Sequence, residues 1–239
     1  MTRRYDRVEL FLGKDNLDVL INSCVMVVGI GGVGAICAES LARTGIGQLI
    51  LIDKDVNDES NINRQIQVTV NNIGQSKVEA LKERIKIINP DCEVITYQEF
   101  FNKDLEFVFD RKIDYVIDAI DTLTAKADII EICQRRDVNL ISCLGLANRL
   151  DSSKLVITKL RKTHTCPVAK VLRNILRKRE LSLDVDVVFS LEEPYKQRTE
   201  VSNSEIRKEK TPPASLMFVP AAGGLLAASY VVRRLTNSL

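Results

Sequence analysis

The chain has 239 residues, 45% of them hydrophobic, enough to bury one large core or two small ones, and its length fits a single α/β domain with an appendage better than two independent domains. Its 34 Lys and Arg nearly balance 32 Asp and Glu, and the net charge of +2 excludes a chain-wide polycation, so any nucleic-acid contact must come from local clustering. The cysteines (Cys24, Cys37, Cys92, Cys133, Cys143, Cys166) lie singly without C-x-x-C spacing, which argues against a paired-knuckle zinc site and for buried thiols in a reducing cytoplasm.

Residues 1–22 open with "MTRRYDRVELFLGKDN", charged and without the apolar core of a signal peptide, and are expected to form a helical arm. Apolar β-rich runs follow at 24–29, 48–53, 92–97, 113–118 and 138–144, with helical periodicity at 32–44, 76–88 and 123–136. In "SKVEALKERIKIINP", Val78, Leu81, Ile85 and Ile88 share one face and a proline lies beyond the end. This alternation predicts an α/β, Rossmann-like, doubly wound and mainly parallel sheet, with residues 23–150 as a nucleotide-binding core. After residue 150 come a strand ("KLVITKLRK"), an amphipathic basic helix ("VAKVLRNILRKRELS") and another strand ("LDVDVVFSLEEP"). Residues 195–215 are polar, without periodicity, and read as a mobile loop. The apolar stretch 216–232 reads as a buried core or dimer helix, with a membrane-associated helix, peripheral or spanning, as its alternative.

"CVMVVGIGGVG" (24–34) places Gly29, Gly31, Gly32 and Gly34 in G-x-G-x-x-G spacing between a strand and a helix. Glycines there permit a tight turn and close approach to a phosphate, whose charge the helix N-terminus favours. Asp53, at the end of "QLILID", stands where an acid hydrogen-bonds a ribose hydroxyl. These features alone suit NAD or ATP. Arg64 with Gln65, and Lys77 at the next helix start, add cations suited to a triphosphate. Asp121, in "YVIDAIDT", adds a carboxylate suited to Mg²⁺.

"GIGGVG…LIDKD…SNINRQ…GQSKVEA…INP…DAID" resembles the adenylyltransferase superfamily of ubiquitin-activating, molybdopterin-pathway and thiamine-pathway enzymes. The resemblance implies that the glycines face the phosphates and Asp53 the ribose. It implies that Arg64 and Lys77 contact the triphosphate, that Asn61, Gln65 and Thr122 join the nucleotide-binding set, and that Asp121 organises the metal. Arg7 falls where the family places an arginine that reaches a partner subunit's ATP site, which implies a homodimer. Thr122 departs from the Asn that many members carry after the Asp.

The segment from Lys154 to Arg179 holds many cations and no Asp or Glu, and Lys159, Arg161, Lys162, Lys170, Arg173 and Arg177 are its RNA-binding candidates. "KTHTCPVAKVLR", the strand after it and the apolar terminus resemble the branch that dehydrates threonylcarbamoyladenosine in tRNA. That branch implies ATP and Mg²⁺, with a monovalent cation as a further candidate, and tRNA rather than DNA as partner. Residues 151–239 would then be the tRNA-facing part of a single ATP-binding unit. Members with a cysteine before the terminal helix are associated with sulfur-relay proteins; residues 195–220 have no Cys, so no acyl-cysteine intermediate is expected. His164, the only histidine, reads as surface, with an RNA phosphate contact as its alternative. The competing functions are adenylation of the C-terminal glycine of a ubiquitin-like sulfur carrier, which leaves the basic segment without a task, and a silent dinucleotide-binding protein.

Overall fold

The computed structural model describes residues 3–196 and 213–238, so most of the expected loop 195–215 lies outside the described residues. Helices α1 (Asp6–Leu12) and α2 (Lys14–Ile21) form the N-terminal arm, broken at Gly13, whose φ of 81° stops the first helix. Five strands and three helices follow: β1 (Cys24–Val28), α3 (Gly34–Thr44), β2 (Gln48–Ile52), α4 (Lys77–Ile88), β3 (Glu93–Tyr97), β4 (Tyr115–Asp118), α5 (Leu123–Arg136) and β5 (Leu140–Cys143), with a 3-10 turn (Lys103–Asp110) in place of a helix between β3 and β4. The chain ends with β6 (Leu155–Lys159), α6 (Pro167–Lys178), β7 (Asp186–Ser190) and α7 (Phe218–Leu235).

All seven strands form one sheet, ordered β3-β2-β1-β4-β5-β7-β6, parallel except for the antiparallel edge pair β6–β7. The order reverses between β1 and β4, the switch point outside whose strand carboxyl ends doubly wound sheets form their ligand crevice. Every residue of β1 is buried because helices cover both faces, and each fully buried Val or Met contributes roughly 1.5–3 kcal/mol. In α4, Val78, Leu81 and Ile85 point into the core, while Ile88 is half-buried.

α7 corrects the spanning form of the membrane alternative. No helix among the described residues is long and apolar enough to cross a membrane. Its Ala227, Ala228 and Val231 belong to the same core cluster as Ala35, Cys37 and Ala38 of α3. Gly224 makes that approach possible: a Cβ there would lie 2.3 Å from the Val33 carbonyl oxygen. One face of the apolar run is thus buried inside the fold, while Leu216, Phe218 and Leu225 stay exposed, and the helix continues to the Arg233–Arg234 pair that the expected span omitted.

Candidate functional site

The glycine loop leaves β1 with Gly29 at φ 91°, its N–H donating to the Ile52 carbonyl. A Cβ on Gly29 would sit 2.8 Å from the backbone of Ala119 and Ile120, and one on Gly34 only 1.9 Å from the Gly29 oxygen. Both positions therefore demand glycine on packing grounds, before any ligand is considered. Gly34 is the first residue of α3, not part of the loop, and no side chain caps that helix. The N–H groups of Gly31, Gly32, Val33 and Gly34 find no acceptor among the described residues. Four free amides at a helix N-terminus are an anion cradle.

Asp53 stands directly after β2 and is tied to this loop: its carboxylate accepts from the Ile30 N–H at 2.6 Å and the Asp55 N–H at 2.8 Å. Burial pushes its carboxyl above the usual range, while Lys77 and the two amides pull the other way. The long connection 53–76 brings the remaining candidates to the rim. Arg64 packs on Gly32, where a Cβ would be 3.0 Å from the Arg64 carbonyl oxygen, and its Nη1 donates to the Ser60 carbonyl at 2.7 Å. Gln65 is buried, with its amide 4.0 Å from where a Cβ on Gly31 would be. Asn61 is buried too and closes a capping box with Asp58. Lys77 opens α4; the residue is 6% exposed, and its ammonium lies 3.1 Å from the Asp55 carboxylate.

Asp121 leaves the far side of the crevice, past β4. It is exposed, and among the described residues its carboxylate meets only the Thr122 hydroxyl, at 3.4 Å. No group of three or more His, Cys, Asp or Glu among the described residues could hold a metal. One exposed carboxylate does not suit zinc, but it fits Mg²⁺, which keeps waters and takes phosphate oxygens.

Arg7 is not brought to this site. It is exposed on the arm, which packs at the amino ends of the strands, where Arg4 pairs with Asp91 at 2.7 Å and Tyr5 lies over Gly45. That is the opposite rim of the sheet from the glycine loop.

Several cations of the basic segment have partners within the fold. Lys159 pairs with Asp186 at 3.0 Å and Arg161 with Asp184 at 3.2 Å, acids supplied by β7 and the chain before it. Arg173 is half-buried and donates to the Thr163 carbonyl at 3.0 Å and to the Thr163 hydroxyl, so it fastens a turn. Lys162, Lys170 and Arg177 are exposed cations with no carboxylate partner among the described residues. His164 is exposed and stacks edge-on against Phe189 at 5.5 Å.

Three functional features escaped the sequence reading. Gln67, buried, donates to the Ile30 carbonyl at 3.0 Å and braces the glycine loop. Pro220 of α7 packs on Gly32, 3.3 Å from a Cβ there. Asp118, Lys126 and Ser142 form a buried cluster behind Asp121. Only Asp118 had a visible signal, as the first acid of "DAID".

The ThiF family profile matches residues 2–237. The chain is 44% identical over 246 aligned positions to the tRNA threonylcarbamoyladenosine dehydratase of Bacillus subtilis (strain 168), covering 100% of this chain and 97% of that protein. The crystal structure of E. coli tRNA N6-threonylcarbamoyladenosine dehydratase in complex with ATP matches with a TM-score of 0.88 at 33% identity, over 99% of this chain and 95% of that one. The same E. coli enzyme in complex with AMP matches with a TM-score of 0.89 at 32% identity, over 99% and 95% of the two chains. From the glycine loop to the terminal helix, the chain belongs to the ThiF family.

Proposed function

We propose that this protein is an ATP-dependent tRNA-modifying enzyme that adenylates the carboxylate of threonylcarbamoyladenosine and promotes its cyclisation. The observation that carries this reading is the cradle of four free amides at Gly31–Gly34, flanked by Arg64 and by the Lys77 ammonium on the Asp53–Asp55 side. A dinucleotide's neutral nicotinamide end gives such cations little to do, whereas charge develops on the α-phosphate and on leaving pyrophosphate during adenylation. The naming of the full-length B. subtilis relative and the ATP and AMP complexes of the E. coli enzyme support the same chemistry.

In the first step a substrate carboxylate oxygen attacks the α-phosphorus, and the bond to pyrophosphate breaks. Gly31–Gly34 amides hold the phosphates, Asp53 accepts from the ribose, and Arg64 and Lys77 neutralise the departing charge. Mg²⁺, held by Asp121, would supply further charge neutralisation on the phosphates. In the second step the ureido group of the same side chain attacks the activated carbonyl, loses a proton and expels AMP. Nucleophile and electrophile share one molecule, so the protein has chiefly to orient them and keep water away. Arg7 sits too far round the sheet to serve its own site, which favours a homodimer in which the partner's Arg7 completes it. Lys162, Lys170 and Arg177 are the exposed cations suited to tRNA phosphates.

The test is mass spectrometry of tRNA nucleosides after incubation with the protein, ATP and Mg²⁺. Loss of one water from threonylcarbamoyladenosine, dependent on ATP, is expected. An unchanged nucleoside together with adenylation of a ubiquitin-like protein's terminal glycine would overturn the reading in favour of a sulfur-carrier activase.

A further inference from the structure

Behind the crevice, Lys126 is 1% exposed, an ammonium removed from water on the first turns of α5. It reaches three acceptors, the Asp118 carboxylate at 3.0 Å, the Ser142 hydroxyl at 3.3 Å and the Cys143 carbonyl at 2.6 Å. Asp118, fully buried, uses Oδ2 for Lys126 and for the Ser142 hydroxyl at 2.6 Å. Its other oxygen accepts from the Ile120 N–H at 3.2 Å and so bends the chain as it leaves β4. A buried ion pair is a poor source of stability, since apolar residues of similar volume commonly do as well. What such a pair supplies is geometry.

The turn that Asp118 bends is the one that touches the glycine loop. The Ala119 carbonyl group and the Ile120 nitrogen press on Gly29, and the Ala119 N–H donates to the Val28 carbonyl at 2.8 Å. The next residue is Asp121, whose own carboxylate has no anchor among the described residues beyond the Thr122 hydroxyl. Its place relative to the phosphate cradle is therefore set through the backbone of residues 119 and 120.

We propose that Lys126, Asp118 and Ser142 are positioning residues that hold Asp121 against the glycine loop, and so set the affinity for metal-bound ATP without touching the nucleotide. This rests on the reading of Asp121 as the metal-binding carboxylate. The three residues tie β4, β5 and α5 together at the one point where the metal side of the site meets its phosphate side. Outer partners of this kind commonly change metal affinity by about 10- to 100-fold when removed.

The experiment measures dissociation constants by calorimetry for ATP with Mg²⁺, for ATP in EDTA and for AMP, alongside amide hydrogen exchange at residues 119–122. Two double variants separate positioning from bulk packing. D118L with K126M removes both charges and the bond to Ile120; D118N with K126M removes the charges and keeps a carbonyl oxygen for that bond. The first is expected to weaken Mg²⁺-ATP binding about tenfold, the lower bound for such partners, to speed exchange at 119–122 and to leave AMP binding unchanged. The second is expected to restore most of that loss. Should the first not fold, Ser142→Ala, which leaves the ion pair intact, must show the same changes in smaller degree. A folded variant with unchanged Mg²⁺ dependence, or an equal loss for AMP and Mg²⁺-ATP, overturns the proposal. Asp121→Asn serves as reference. If it leaves Mg²⁺ dependence unchanged, the metal reading of Asp121 fails and the proposal falls with it. If it abolishes the dependence while the cluster variants do not, the positioning claim alone fails.

Discussion

Replacing Lys77 by methionine separates what this residue does for the fold from what it does for the reaction. The methylene stem is buried, and methionine fills nearly the same volume, so little packing is lost. The ion pair lost is the one to Asp55 at 3.1 Å, and that carboxylate is 53% exposed. Solvent screening limits such a pair to about 1 kcal/mol, which in a domain of this size lowers Tm by roughly 2–4 °C. The ligand-free protein should therefore melt almost normally.

With ATP bound, the account changes. The same ammonium, dehydrated and held at the start of α4, would face charge building on the phosphates. Removing one preorganised donor from a developing oxyanion costs about 2.7–4 kcal/mol, or 10²- to 10³-fold. ATP–pyrophosphate exchange in the presence of substrate tRNA should fall by that factor, with tRNA binding retained. Exchange within about threefold of the wild type, less than 1 kcal/mol, would refute the role. Lost tRNA binding with exchange intact would refute it as well.

Other outcomes can be checked with less effort. Glu39 is buried between Arg84 and Arg43; burial pushes its carboxyl up, but the two guanidiniums outweigh this and hold it below the ordinary 4.5. Its stabilisation is thus present above that value and lost as pH falls through the lower folded one; Glu39→Gln should cost about 2 kcal/mol at pH 7 in denaturant titrations, with the gap closing in acid. A gap constant down to pH 3 would contradict this pairing. All six thiols are free and buried, and burial pushes Cys143 up to about 12, so iodoacetamide at pH 8 should leave the native mass unchanged; one fast adduct that abolishes turnover would revive a thiol mechanism. Charge reversal at Lys162, Lys170 and Arg177 should flatten the salt dependence of tRNA affinity by about 0.7–0.9 log unit per lost phosphate contact, whereas Arg173→Ala should instead lower Tm.

The strands were legible because both faces of a parallel sheet are covered, so β1, β2, β4 and β5 read as apolar runs. Their ends shift by a residue or two, since nothing local tells the last buried residue from the first one in a turn. The place of β7 between β5 and β6 was not legible, because pairing is a long-range choice that composition does not encode. The cations after residue 150 illustrate the same limit: the run contains no acid, yet Asp184 and Asp186 reach Lys159, and Asp128 with Glu131 reaches Arg179. Lys126 is the sharpest case. A lysine on a helix ordinarily points to water, and only the strand ends beneath α5 turn this one inward.

The terminal helix changes how the two halves of the chain relate. Pro220 bears on Gly32 and Gly224 on Val33, so α7 supports the very turn whose amides form the anion cradle. At its other side Gly223 accommodates Leu146, which follows β5 and leads to the loop before the basic segment. The Asn63 side chain donates to the Ser215 carbonyl at 2.9 Å, and Asn148 exchanges hydrogen bonds with Ala214, so the chain entering α7 is fastened from both sides. A helix lodged between the phosphate loop and the start of the C-terminal part cannot be removed without loosening both. The glycine loop and the C-terminal part are thereby made mechanically continuous, and a shift at Gly32 has a packed route, through Pro220 and Gly223, toward Leu146.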